Sequence, residues 1–120
     1  MDIFILILKI IFGVLFMFAG SMHIIKPKVF KHFTPPFLPL KITNFLAGII
    51  EFCLGLGLFF SQTVKQAALG IFILMLVFLP IHIWDLTKER PAIGSKKIAI
   101  IRIPLQFLLM YLSYLIYTNS

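Results

Sequence analysis

The chain has 120 residues, 61% of them hydrophobic and 12% charged, and its eleven Lys and Arg against four Asp and Glu give a formal charge of +7. Soluble domains average roughly 45–50% apolar and about 25% charged residues, so this composition, with a mean hydropathy of +1.08, excludes a water-coated globule and predicts lipid as the main solvent. The basic excess is a topology signal and no nucleic-acid partner is expected, because no basic water-soluble face with a groove-sized helix accompanies it.

A hydrocarbon core of about 30 Å takes about 20 apolar residues in a helix. Four stretches qualify, which predicts an all-α, four-transmembrane-helix bundle forming a single integral membrane domain over 1–120. The first span covers about 3–25, interrupted only by Lys9. It is too long for a signal-peptide core of about 7–15 residues, and Asp2 stands where such a peptide carries basic residues, so it reads as a retained helix.

The connection from Lys26 to Thr43 holds Pro27, Pro35, Pro36 and Pro39. Proline removes donors and disfavours helix in the residue before it, so a proline-rich loop between helices 1 and 2 is expected. Lys26, Lys28, Lys31 and Lys41 alternate there with Phe30, Phe33 and Phe37, a mixture suited to headgroups. Thr43 and Asn44 read as helix starters for a second span over about 44–60. That span is interrupted only by Glu51, and its Cys53, the single cysteine, reads as a small buried side chain with no Cys-x-x-Cys partner.

The third span covers about 65–86 and the fourth about 98–117. Loops one and three fall on the same side of the membrane and hold eight of the eleven basic residues, with Lys65 alone opposite. The positive-inside rule then puts both loops in the cytoplasm and both termini outside, in a bacterial inner membrane. Trp84, Tyr114 and Tyr117 are expected as interface anchors.

Ionisable residues inside spans are expensive and are functional candidates by default. Every helix supplies polar groups toward the loop-one and loop-three side: His23, Glu51, His82 with Asp85, and Arg102 with Gln106. Measured from the helix ends, their depths run from roughly 3 Å for His23 to roughly 12 Å for Gln106. Gly48, Glu51 and Gly55, three and four apart, share a stripe that permits close helix packing. Arg102, Gln106, Ser113 and Tyr117 make a second stripe. Near a boundary, His23, His82, Asp85 and Arg102 also suit plain snorkelling to headgroups, whereas Glu51 is too short and deep for that. A buried carboxylate needs a cation to stay charged, and Arg102 or a protonated His23 or His82 would supply it.

Four segments in this order resemble the DoxX-like family of small four-helix membrane proteins: Ala19-Gly20-Ser21-Met22-His23 with Lys26-Pro27 and Pro35-Pro36-Phe37-Leu38-Pro39; Gly48-Ile49-Ile50-Glu51 with Gly55-Leu56-Gly57-Leu58; Phe78-Leu79-Pro80-Ile81-His82-Ile83-Trp84; and Arg102-Ile103-Pro104-Leu105-Gln106. The resemblance implies a four-helix bundle tied to membrane redox work, including quinone reduction by a thiosulfate oxidoreductase subunit, with some distant relatives resembling assembly factors. The chain departs from the redox members that use cysteine pairs, which argues against direct thiol chemistry.

The leading expectation is a redox-associated membrane subunit whose pocket binds a lipophilic ligand such as a quinone, partnered by a membrane or peripheral oxidoreductase. Glu51 with His23 or His82 would exchange protons with the ligand, while Arg102 and Gln106 orient its head. Asp85 and Ser113 are secondary candidates, and no metal site is expected. The alternative is a non-catalytic assembly or partner-binding protein, with homo-oligomers open. Less favoured are a proton-coupled small-molecule transporter, whose known four-helix examples carry the carboxylate in helix one, and haem ligation by His23 and His82.

Overall fold

The computed structural model describes residues 2–30, 37–87 and 96–120. Four helices account for nearly all of them: α1 (Asp2–Ile25), α2 (Leu40–Gly57), α3 (Val64–Leu86) and α4 (Lys96–Thr118), with a short 3-10 turn at Pro27–Phe30 after α1. Each helix is long and apolar enough to cross a membrane. In hydrocarbon every backbone N–H and C=O must find a partner within its own segment, and helices of this length meet that requirement. Pro35 and Pro36, like Lys88 to Ser95 of the third connection, lie outside the described residues.

The second helix departs from expectation at both ends. It begins at Leu40, directly after Pro39 in extended backbone, and no side chain caps it. Proline lacks an N–H and cannot continue a helix backward, yet it can stand immediately before one. Asn44 is therefore not a cap but an interior residue, 2% exposed. The other end closes at Gly57, and a turn through Leu58–Thr63 follows, where the Thr63 hydroxyl donates to the Gly57 carbonyl at 2.8 Å. Cys53, expected to be buried, is exposed on the outer surface of α2.

The helices pair as two hairpins, α1 on α2 and α3 on α4, and the hairpins meet each other less extensively. Glycines make the first pairing close. A Cβ at Gly20 would sit 2.5 Å from the Gly48 carbonyl oxygen, and one at Gly55 would sit 2.8 Å from that of Gly13. Gly13 thus faces Gly55 and Gly20 faces Gly48, so seven residues along α1 match seven back along α2. Between membrane helices such close approach supplies van der Waals packing that lipid cannot match.

In the second hairpin the buried side chains include Ala68, Ile71 and Met75 on α3 and Met110 and Ile116 on α4. The side chains of Ile3, Leu6, Val14, Phe18, Val77 and Ile100 point outward and are exposed, as expected for surfaces that meet lipid tails. At the α2–α3 turn end, the Lys65 ammonium lies 5.1 Å from the centre of the Tyr117 ring, while Tyr114 is exposed.

Candidate functional site

The glycine register determines which polar groups can meet. By that register His23 stands level with Phe45, so Glu51 is six residues further along, roughly 9 Å of axial offset. Side chains lean toward the N-terminus of their own helix. Since α1 and α2 run in opposite directions, His23 and Glu51 lean toward one another and close the gap. His23 Nε2 lies 3.0 Å from Glu51 Oε2, and His23 Nδ1 lies 2.7 Å from Asn44 Oδ1.

Asn44 makes the proton arrangement explicit. Its Nδ2 donates to the Leu40 carbonyl one turn back at 2.8 Å, which turns Oδ1 toward the histidine. An amide oxygen only accepts, so His23 Nδ1 carries a hydrogen. That leaves Nε2 facing the Glu51 carboxyl group. Although Oε2 is within ion-pair range of His23, it lies off the ring nitrogen's donor axis and is buried without a directed hydrogen bond. Glu51 as a whole is 5% exposed.

The second hairpin carries its own cluster. His82 and Asp85 are three apart on α3 and share a face, and His82 is within electrostatic reach of both Asp85 and Arg102. Asp85 is fully buried, and Arg102 Nη1 is buried with no hydrogen-bond partner among the described residues. Gln106 Nε2 donates to the Met75 carbonyl at 2.7 Å, tying α4 to the α3 backbone five residues before Pro80, and Gln106 Oε1 is buried with no partner among the described residues. Ser113 Oγ returns to the Met110 carbonyl of its own helix at 2.8 Å.

Between the hairpins lies a cavity of about 460 Å³ to which all four helices contribute. His23, Asn44 and Glu51 line one wall, and His82 and Arg102 belong to the other. Phe12, Phe16 and Leu109 line its apolar part. The eleven residues from His23 back to Phe12 correspond to roughly 16 Å of helix. The cavity is therefore polar toward one end and apolar along most of its length. Among the described residues, Gln106, Ser113 and Asp85 do not line it. They lie within the second hairpin instead.

The expected single convergence of polar groups thus resolves into two clusters, one per hairpin. Glu51 pairs with His23 and not with Arg102: among the described residues the two opposite charges line the same cavity without forming an ion pair. Both ring nitrogens of His23 are engaged, which leaves none for a haem iron in this arrangement. No group of three or more metal-ligating side chains comes together among the described residues.

A family described as a domain of unknown function, DUF8561, matches residues 12–116. The chain belongs to that family. No curated protein and no solved structure matches the chain. The matched segment of this DUF8561 protein contains both polar clusters and every residue named as lining the cavity.

One site residue of this DUF8561 chain, Asn44, reads as a helix starter from its local sequence, yet it stands inside α2. Its signal was present in the spacing. Asn44, Gly48, Glu51 and Gly55 are four, three and four apart, so Asn44 shares the stripe that turns Glu51 inward.

Proposed function

We propose that this DUF8561 protein is an integral membrane protein whose cavity between two helical hairpins holds a lipophilic ligand by its polar head, with the tail along Phe16 and Phe12. The observation that carries this reading is a cavity of about 460 Å³, apolar over most of its length, with Glu51 and Arg102 at its polar end. Pockets for small ligands run roughly 300–1,000 Å³ and combine apolar walls with a few convergent polar groups. Among the described residues, Arg102 Nη1 has no hydrogen-bond partner, and Glu51 Oε2 has only the ion-pair contact with His23. Leaving such groups unpaired costs about 1–3 kcal/mol each, and a bound head group would offset that cost.

A quinone in a redox-associated subunit is the ligand class we assign, in line with the DoxX-like resemblance. Its ring oxygen accepts from Arg102, and Glu51 with His23 exchanges protons at the other oxygen. His82 completes the wall beside Arg102. In this reading loops one and three face the cytoplasm of a bacterial inner membrane, and an oxidoreductase partner completes the electron path.

Native mass spectrometry of the protein released from mild detergent tests it, comparing wild type with Glu51→Gln and Arg102→Leu. The expected result is a retained mass in the quinone range that both variants lose. An empty wild-type protein that carries a partner chain instead would transfer the function to assembly.

A further inference from the structure

Glu51 and Arg102 line one cavity yet remain apart, so a head group that satisfies both has to offer complementary atoms in one small unit. The carboxylate needs a donor. Its oxygens accept through lone pairs, and no described residue directs a hydrogen bond at the buried Oε2. The guanidinium, with Nη1 buried and unpartnered, needs an acceptor.

We propose that the cavity selects an amphiphile whose head gives a hydroxyl hydrogen to Glu51 and an oxygen lone pair to Arg102, in preference to one of equal chain length whose head only accepts. This rests on the proposed ligand-binding role of the same cavity and specifies its chemistry. For a quinone couple it favours the hydroquinone, because the oxidised ring offers only acceptors and leaves Glu51 without a donor.

Matched probes test the selection. Wild-type protein in detergent micelles is titrated with dodecanol and dodecyl methyl ether, and separately with decylhydroquinone and decylbenzoquinone, with occupancy read by native mass spectrometry. Dodecanol is expected to bind about tenfold more tightly than the ether, the factor that one lost buried hydrogen bond represents. Decylhydroquinone is expected to exceed decylbenzoquinone by a similar factor. Both preferences should vanish in Glu51→Leu, which is close in size and cannot accept. Circular dichroism and elution volume establish that the variant is folded, and Ser120→Ala serves as a control that keeps both preferences. Tight binding of the ring probes with none of dodecanol identifies a quinol as the source of the hydroxyl, and the reverse identifies a lipid alcohol. An ether that binds as tightly as the alcohol overturns the selection while leaving the ligand-binding reading intact. Failure of every probe to bind wild type overturns both.

Discussion

His23 spends both of its ring nitrogens within a single hairpin. Because Asn44 Oδ1 can only accept, ¹⁵N NMR of histidine-labelled protein is expected to find hydrogen on Nδ1 of His23, and a bare Nδ1 contradicts the arrangement. Asn44→Leu removes that acceptor and leaves a partly buried N–H without a partner. A loss of about 1–2 kcal/mol in unfolding free energy is expected, measured by chemical denaturation in mild detergent. Asn44→Asp retains an acceptor and should lose less. Equal stability of Asn44→Leu and wild type would remove Asn44 from the site. The same dependence on neighbours explains why the ion-pair partner of Glu51 was not legible in the sequence. Arg102, His23 and His82 are equivalent as residue types, and only the geometry between helices separates the one within 3.0 Å from the others.

At the scale of the helix, the two glycine pairs hold α1 against α2. Gly20→Ala would drive a methyl group into the Gly48 carbonyl and the Phe52 backbone nitrogen, which cannot move without separating the helices. Overpacking of this kind costs about 1–3 kcal/mol. Gly70→Ala meets the tip of the Leu54 side chain at 2.5 Å, and a flexible leucine can rotate away. Thermal unfolding in detergent should therefore rank Gly20→Ala well below Gly70→Ala, and the reverse order would contradict the packing described. The inward stripe of Gly48, Glu51 and Gly55 was legible from its spacing alone, since positions three and four apart share a helix face. The start of the same helix was not. Thr43-Asn44 before an apolar run has the form of a cap, whereas the helix begins after Pro39 and carries Asn44 into the interior. The choice turns on whether the turn from Leu40 to Thr43 is helical, and the partner that rewards it, His23, lies twenty-one residues away.

For the whole molecule, composition was the most legible property. Four apolar runs of spanning length predicted four helices because lipid leaves the backbone little alternative. The division into two tight hairpins with a cavity between them was not legible, since it depends on which faces pack closely and which do not. Sidedness remains a property of charge. In the proposed topology, with loops one and three in the cytoplasm, the end of α4 at Thr118 would lie outside, so a green fluorescent protein fused there is expected to stay dark and an alkaline phosphatase to be active in bacteria. A fluorescent fusion reverses the assignment.

The looser contact between hairpins has a bearing on how the protein could be divided. Each hairpin contains its own close packing and its own polar cluster, and they are joined covalently by the short turn Leu58–Thr63. A chain cut between Ser61 and Gln62 and produced as two fragments is expected to yield two separately inserting halves that co-purify. A head group that bridges Glu51 on one fragment and Arg102 on the other would then act as the fastener between them.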